Sequence, residues 1–286
     1  MRTIKYILIL SYFLYSCDDS DPLTTVKKPP EDTSKEDTTI VQNTSDFSIA
    51  TWNVEFFPKA NNTVSLMNEL IANSDLDIIA FQEINSEASF NQLDDLLTNY
   101  KGVFVDVNFD LDYAFLIKSA LISVFETTTI LTGDGSAFPR APAVLSFNLN
   151  NEQYRIINIH LKCCGDSESR RKDAANKLYS FIQANYPNDH VIVLGDFNDD
   201  IYDADVFDIF LNDPDNFLFA DLAIQNGPTT LWSYPSWPSH LDHILVSDEF
   251  FDYDIQTETW TVDKEVSSYF NNISDHRPVR ATFSFE

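Results

Sequence analysis

Basic residues are scarce in this sequence. Lys and Arg together number 18 among 286 residues, against 45 Asp and Glu, which gives a formal net charge of -27. A surface with that charge repels polyanions, and this argues against a sequence-reading DNA-binding protein. It does not exclude a nuclease, because bound metal ions can supply positive charge locally. We interpret the acidity first as an adaptation for solubility.

The N-terminus lacks an apolar run long enough to span a membrane. The mostly apolar residues 6–15 follow Arg2 and Lys5, and they are too few for a mature transmembrane helix. The run ends in Leu14-Tyr15-Ser16-Cys17, which is similar to a bacterial lipoprotein signal, where a small residue precedes the Cys that is lipidated. We expect residues 1–16 to be removed and Cys17 to carry the lipid; an ordinary secretory signal is the alternative. The chain is then exported and anchored to a bacterial membrane, in the periplasm or at the cell surface.

Internal repeats and a second linker are also missing. Residues 17–46 form one tether, because they contain Lys-Lys-Pro-Pro, repeated Thr and Ser and mixed charges without an apolar period. Such a segment cannot bury enough surface to offset the entropy of ordering. The chain as a whole is 44% hydrophobic and has 23 Phe, which is enough for a substantial core. We therefore expect one domain over residues 47–286 and, with no obligate protein partner indicated, a monomer.

Hydrophobic periodicity predicts strands and helices in a mixed order. The predicted helices cover residues 62–73, 86–99 and 167–186. The predicted strands cover residues 47–54, 77–83, 102–107, 113–118, 121–131, 143–149, 154–160, 190–194, 241–246, 253–262 and 279–285. Helices fall between strands early in the chain, while strand-to-strand connections dominate its middle. That mixture favours two packed β-sheets flanked by helices over a simple parallel α/β sheet.

Six short polar motifs stand where apolar strands end or in the adjacent loops. They are Trp52-Asn53, Gln82-Glu83, Ile159-His160-Leu161, Gly195-Asp196-Phe197-Asn198, Leu241-Asp242-His243-Ile244 and Ser274-Asp275-His276. Each motif alone is common in loops and turns. Together they offer carboxylates, amides and imidazoles, the groups that suit binding of a hard metal ion and phosphoryl transfer.

In this order the motifs resemble those of the endonuclease/exonuclease/phosphatase superfamily. That superfamily includes pancreatic-type deoxyribonuclease, abasic-site endonuclease, neutral sphingomyelinase and inositol polyphosphate phosphatases. The resemblance covers residues 47–286. It implies an α/β fold, a four-layer sandwich of two mixed sheets flanked by helices, with the site at one end of the paired sheets.

The resemblance also implies a metal site. Glu83 is the best candidate for direct coordination, Asn53 supplies an amide oxygen, and Asp275 approaches from the other side. Mg²⁺ keeps several waters and takes few protein carboxylates, so it matches this sparse set. Mn²⁺ and Ca²⁺ are alternatives.

Phosphodiester hydrolysis adds negative charge at the reacting phosphate, so catalysis is largely electrostatic. By similarity to the family, Asp196 orients or deprotonates the attacking water, and Asn198 fixes that water or a phosphate oxygen. His276 contacts the phosphate, and Asp242 pairs with its ring. His160 is the second imidazole, placed to donate to a phosphate oxygen.

Four further positions have weaker support. Arg140, before a strand, resembles a family residue that meets substrate phosphate, and its alternative is a surface salt bridge. Tyr113 resembles a Tyr near the scissile phosphate, with core packing as the equal alternative. His243 follows Asp242 in a strand and should point to the opposite face in a structural role. His240 lies in an aromatic loop and is expected to be a bystander.

One position departs from the family pattern. Deoxyribonuclease-type members often have Arg two residues after the Glu, and here that position is Asn85. This weakens the case for DNA without affecting the hydrolytic centre.

Cys163 and Cys164 directly follow the His160 motif and are the only cysteines besides Cys17. An oxidising compartment permits a disulfide between them, although a bond between neighbours is strained. Two free thiols are the alternative, and metal binding by the pair is disfavoured because adjacent side chains diverge. We expect a local disulfide on the loop after His160.

Three functions follow, in order of preference. The first is a nuclease acting on extracellular DNA or RNA. The second is a phospholipid or small phosphate-ester hydrolase, for which the apolar loop 231–238 could lie on a membrane. The third is a non-catalytic surface-binding lipoprotein, which is disfavoured because no charged or polar motif residue is missing.

Overall fold

Two six-stranded sheets account for the apolar runs of the sequence. The computed structural model describes residues 46–107, 111–122 and 124–285. The predicted signal, Cys17 and all but the last residue of the predicted tether lie outside these residues. In the described chain the strands are β1 Phe47–Phe57, β2 Ile78–Ile84, β3 Tyr100–Val105, β4 Asp112–Lys118, β5 Phe125–Thr129, β6 Ala143–Leu149, β7 Glu152–His160, β8 His190–Asp196, β9 Phe217–Phe219, β10 Asp242–Ser247, β11 Tyr253–Thr259 and β12 Val279–Phe285.

The sheets pack face to face around a shared core. The first sheet has the order β11-β12-β1-β2-β4-β3, and the second has the order β5-β6-β7-β8-β10-β9. Their facing side chains form one apolar cluster, to which both sheets contribute, for example Ile49 and Phe115 from one and Ile156 and Leu194 from the other. Central strands are buried on both faces, which explains why β2 and β8 are nearly continuous apolar runs.

Helices cover the two outer faces. They are α1 Thr63–Ala72, α2 Glu87–Leu96, α3 Glu168–Asn185, α4 Asp208–Leu211, α5 Leu222–Gln225 and α6 Tyr269–Asn272. Both α1 and α2 pack on the first sheet, and α3 packs on the second. The predicted four-layer sandwich is therefore confirmed. Across the described residues, no helix combines the length and apolarity that crossing a membrane requires.

The predicted elements differ from the observed ones mainly at their ends. The strand predicted over residues 121–131 is shortened to β5, because residues 119–121 form a turn and Ile122 is buried against the core. The strand predicted over residues 253–262 ends with β11 at Thr259, and a 3₁₀ turn begins at Val262. β9 and the short helices α4 to α6 were not predicted, because three or four residues are too few to show a hydrophobic periodicity.

Strand direction fixes one functional end of the sandwich. β1 and β2 are parallel, and so are β7 and β8, so each pair finishes at one edge of its sheet. β4, β6, β10 and β12 run antiparallel to these strands and therefore begin at that same edge. The two edges meet directly, because the Asn53 amide on β1 donates to Asp196 on β8 at 2.9 Å.

Candidate active site

The predicted site residues all lie at this end of the sandwich. Tyr113 and Asp242 stand at strand starts, and Arg140, Asp275 and His276 stand shortly before strands. The remaining members belong to strand ends or the loops that follow: Asn53, Glu83, His160, Asp196 and Asn198. Positions far apart in sequence therefore converge, as the order of the motifs predicts.

The backbone is strained where these strands end. Glu55, Phe56, Glu83 and Asn198 all have left-handed φ values, between 36° and 64°, although none is glycine. The pairing of β2 with β4 is irregular between Phe81 and Ile84, which re-aims the Glu83 side chain. Such conformations cost free energy and persist at functional sites because the surrounding contacts enforce them.

Asn53 joins the two sheets through its side chain. Its amide nitrogen donates to Glu83 Oε1 at 3.2 Å as well as to Asp196 Oδ2. Its amide oxygen accepts the Glu55 backbone N–H at 3.0 Å. Two carboxylates thus converge on one neutral amide at the bottom of the site.

Asp196 is suited to accept a proton near neutral pH. Its side chain is buried, and burial together with nearby Asp242 and Glu83 raises its pKa to about 7 despite the opposing charge of His276. The Asn198 backbone N–H donates to its Oδ1 at 2.9 Å and holds the carboxylate in place. A base of this pKa is matched to proton abstraction from water at neutral pH.

His276 is held as a cation by Asp242, as the motif predicts. Nδ1 lies 2.7 Å from Asp242 Oδ2, and Nε2 lies 3.8 Å from Asp196 Oδ2. Burial alone would lower the pKa of the ring, but the carboxylates of Asp242 and Asp196 outweigh it and raise the pKa to about 10. Tyr234, which the sequence did not single out, places its ring centroid 4.9 Å from that of His276.

His160 and Arg140 form a second pair. Arg140 Nε and Nη2 lie 3.3 Å and 3.1 Å from the two ring nitrogens of His160. A guanidinium only donates, so the ring that accepts from it is neutral. Burial and the charges of Arg140 and His276 hold the pKa of His160 well below its usual range. The predicted imidazole donor is therefore a neutral ring, and Arg140 is nearly buried rather than part of a surface salt bridge.

Tyr113 and Asn198 support the backbone around His160. The fully buried Tyr113 accepts the His160 backbone N–H at 2.8 Å, and burial raises the pKa of its phenol. Asn198 Nδ2 donates to the Leu161 carbonyl at 3.0 Å. Tyr113 thereby connects the end of β7 to β4, and Asn198 connects it to the loop after β8.

The oxygen donors fit a hard divalent cation. Glu55, which the sequence analysis missed, accepts the Asp275 backbone N–H at 2.7 Å. Burial and the Asp275 carboxylate raise the pKa of Glu55, against the opposing effect of Lys59. The Glu55 and Asp275 carboxylates repel each other, and the Asn53 amide lies against Glu83, so two adjacent pairs of residues offer oxygen atoms here; a cation relieves repulsion of this kind. The signal for Glu55 was its position two residues after Asn53, on the same face of a strand.

The predicted disulfide is absent from the structure. Cys163 and Cys164 are free, with their sulfur atoms 2.8 Å apart, well beyond the ~2.05 Å of a covalent bond. The Lys162 amine lies 3.4 Å from Cys163 Sγ. Closing a ring between adjacent residues would distort the loop, which Arg171 Nη1 anchors through the carbonyls of Lys162 and Cys164.

His240 and His243 form a buried network away from the reacting centre. Asp221 Oδ2 lies 2.9 Å from His240 Nε2 and 2.7 Å from His243 Nδ1. His243 Nε2 lies 2.9 Å from the Asp199 carbonyl, so it must carry a proton. His243 therefore has the structural role that was predicted. His240 was expected to be a loop bystander, but it is fully buried because it shares the Asp221 carboxylate.

Two sheets that join carboxylates, amides and a paired imidazolium at one end define a metal-dependent phosphoester hydrolase. The chain belongs to the Endonuclease/Exonuclease/phosphatase family, whose sequence profile matches residues 50–276. A comparison with curated proteins found no match.

Solved structures share the fold at low sequence identity. TDP2 from C. elegans is 18% identical with a TM-score of 0.63, over 84% of this chain and 75% of that one. The human Nocturnin catalytic domain with bound sulfate is 19% identical with a TM-score of 0.65, over 84% and 95% of the two chains. D. rerio TDP2 complexed with single strand DNA product is 15% identical with a TM-score of 0.66, over 84% and 99%.

Proposed function

We propose that this chain is a Mg²⁺-dependent nuclease that acts on extracellular nucleic acid and is tied to a membrane through a lipid on Cys17. The observation that carries the catalytic part is the juxtaposition of Asp196, with a pKa of about 7, and the His276–Asp242 pair beside the oxygen donors. The nucleic-acid part is supported by the likeness to a TDP2 structure that holds a single strand DNA product.

The side chains divide the reaction between them. Asp196 accepts a proton from a water molecule, whose oxygen attacks the phosphorus while the P–O bond to the leaving oxygen breaks. The leaving oxygen takes up a proton from solvent water. The His276 imidazolium donates a hydrogen bond to a phosphoryl oxygen as negative charge develops there. Asn53, Glu55, Glu83 and Asp275 would hold the divalent cation, which supplies Lewis-acid charge to the phosphate when bound. Arg140 keeps His160 neutral. The site therefore has a single imidazolium, His276, to bind the phosphoryl oxygen.

Turnover of defined substrates tests the proposal. The purified chain is incubated with plasmid DNA, RNA, sphingomyelin and inositol phosphates, in Mg²⁺ and in excess chelator. We expect cleavage of nucleic acid that stops on chelation and returns with Mg²⁺ or Mn²⁺. Full turnover in excess chelator contradicts the metal mechanism, and turnover of sphingomyelin alone contradicts the nuclease.

The phospholipid alternative has one specific observation in its favour. The loop over residues 231–238 exposes Leu231 and Trp237, and apolar side chains at a surface can enter a membrane interface. The sphingomyelin arm of the same experiment decides between the two substrates.

Export and lipidation have their own test. Mass spectrometry of the mature N-terminus should find lipid on Cys17, and Cys17→Ser should leave the chain unprocessed or released from the membrane. An unmodified terminus that begins at another residue removes this part of the proposal and leaves the nuclease intact.

A further inference from the structure

Several aromatic rings of the described residues are exposed, and two of them lie in segments that contact the candidate active site. The described residues include five exposed aromatic side chains, which are Phe56, Tyr202, Trp237, Phe251 and Phe270. Trp237 is 78% exposed and Phe56 is 58% exposed, the two highest values among these rings. Exposure of such large apolar rings to water costs free energy, and binding of a ligand that covers them would recover it.

Trp237 projects from a loop that is fixed at its base. The backbones of Tyr234 and Ser239 bond to each other at 3.0 Å and 3.2 Å and close the loop. Tyr234 packs its ring against His276, so the base of the loop lies beside the site and Trp237 follows three residues later. Pro235 and Pro238 restrict the backbone on both sides of Trp237, which holds its indole at low entropic cost.

The base of this loop is tied to the catalytic segments. The buried Ser233 accepts the backbone N–H groups of Leu241 and Asp242 at 3.1 Å and 3.2 Å. The Arg277 backbone N–H donates to the Ser233 carbonyl at 2.7 Å. The loop therefore keeps a fixed position relative to Asp242 and His276.

Phe56 reaches the rim from the end of β1. Its backbone N–H donates to Glu83 Oε2 at 3.2 Å, and its left-handed φ of 54° turns the ring outward. The preceding Glu55 is also left-handed and bonds to Asp275. Two consecutive strained residues thus hold an apolar ring in solvent beside the oxygen donors.

The charges around the site do not favour binding along the phosphate backbone of a long nucleic acid. Arg140 is bound to His160, Lys59 pairs with Glu55, and Lys162 lies against Cys163. The formal net charge of -27 repels a long phosphate backbone. Contacts to the uncharged bases avoid this repulsion.

We propose that Trp237 and Phe56 stack on unpaired bases next to the scissile phosphate, which makes single-stranded nucleic acid the substrate class. This inference rests on the proposed nuclease function. Base faces are open for stacking in a single strand, whereas a duplex must first unstack them at a cost. A membrane role for Trp237 is disfavoured, because interfacial segments combine apolar residues with cations, whereas the loop over residues 231–238 has no Lys or Arg and the chain is acidic.

The test compares two substrates that differ only in their bases. One is a ten-residue oligothymidylate, and the other is an abasic oligomer with the same phosphates. We expect the full-length chain in Mg²⁺ to have a higher kcat/KM on the oligothymidylate. Trp237→Ala should lower the ratio of the two kcat/KM values about tenfold, and Phe56→Ala should lower it in the same direction.

Phe251→Ala is the matched control, because Phe251 is an exposed ring that lines a pocket with Pro214 and Leu218 instead of the site. It should leave the ratio unchanged, and thermal unfolding checks that all variants fold. An unaltered ratio in Trp237→Ala, with oligonucleotide still cleaved, overturns the stacking and leaves the nuclease standing. Failure to cleave either oligomer while sphingomyelin is hydrolysed overturns both. Trp237-dependent sedimentation with phosphatidylcholine–sphingomyelin vesicles, without a change in ratio, assigns the ring to a membrane instead.

Discussion

The pairing of His276 with Asp242 has a direct consequence for turnover. Removing one strong donor to the transition state typically costs on the order of 10²-fold in kcat, and we expect this for His276→Ala. Asp242→Asn should reproduce much of that loss, because the amide cannot supply the charge that keeps the ring cationic. Since the two residues act as a unit, the double variant should be little worse than the worse single one. The measurement is kcat for the four proteins, with circular dichroism as the folding control.

The same pair determines the alkaline limb of the pH profile. The Asp242 and Asp196 carboxylates raise the pKa of His276 to about 10, so the ring loses its proton only at high pH. Without the Asp242 charge that pKa falls, and the alkaline limb of kcat/KM should move to lower pH in Asp242→Asn. Strictly additive losses in the double variant, or an unmoved limb, would show that the pair does not function as a unit.

The buried Asp221 network predicts a pH-dependent stability. Burial would raise the pKa of Asp221, but His243 and His240 outweigh it and hold the pKa well below its usual range. Burial would lower the pKa of His243, and Asp221 raises it instead. The Asp221 contribution is present above about pH 4, its unfolded value, and is lost as pH falls through the folded pKa. The His243 contribution is complete below about pH 6.5 and is lost as pH rises through its folded pKa.

Asp221→Asn should therefore cost about 3–5 kcal/mol near pH 5.5, where it leaves a buried imidazolium unpaired. The cost should be smaller at pH 9, because the His243 charge that Asp221 balances is lost progressively as pH rises. Urea unfolding at both pH values measures the difference, with the exposed Asp252→Asn as control. An equal loss at the two pH values would rule out a charged His243.

Most of the candidate site follows from the sequence because its polar residues stand at strand ends. Glu55 could not be identified from its motif, because the predicted strand ends at Val54, and no motif distinguishes Tyr234 within its aromatic loop. The neutral state of His160 was not predictable, since it depends on Arg140 lying against the ring. The state of Cys163 and Cys164 depends on loop geometry, which residue spacing does not determine.

At the scale of the elements, Gly195 allows the two parallel strands that carry His160 and Asp196 to pair. Its φ is +144°, and a Cβ there would lie 1.9 Å from the Ile159 carbonyl oxygen on β7. Gly195→Ala should lower the free energy of unfolding by about 3 kcal/mol or more, because backbone must move. Gly135→Ala is the control, since its Cβ would meet nothing within 4 Å. Equal unfolding free energies for the two variants would mean that β8 adjusts without strain.

Hydrophobic periodicity predicted the strands and the long helices, but it did not predict which strands pair with each other. The strand predicted over residues 77–83 matches β2 closely. The first residues of β2 are apolar on both faces of the strand, as a strand buried on both sides requires. Which strands lie side by side depends on contacts between distant residues. The fold was therefore identified through the order of the motifs, and strand direction then explained why they meet.

The charge of the whole molecule predicts an unusual response to salt. The proposed nucleic-acid substrate and the protein are both anionic, so added salt screens a repulsion and should raise kcat/KM on an oligonucleotide. The rise should appear between about 10 mM and 150 mM, where the Debye length falls from about 30 Å to about 8 Å. A decanucleotide should show a larger effect than a dinucleotide measured at the same Mg²⁺ concentration. A steep fall with salt, as phosphate-tracking proteins show, would contradict the proposed mode of binding.

β1 also separates the start of the described chain from the active site. Phe47 opens the strand and Asn53 lies in the site near its far end, about 20 Å away at the usual rise per residue. Any attachment through residues that precede Phe47 therefore enters at the end of the sandwich opposite the catalytic residues. A fluorescent label or an affinity tag placed just before Phe47 would therefore stand clear of the catalytic residues.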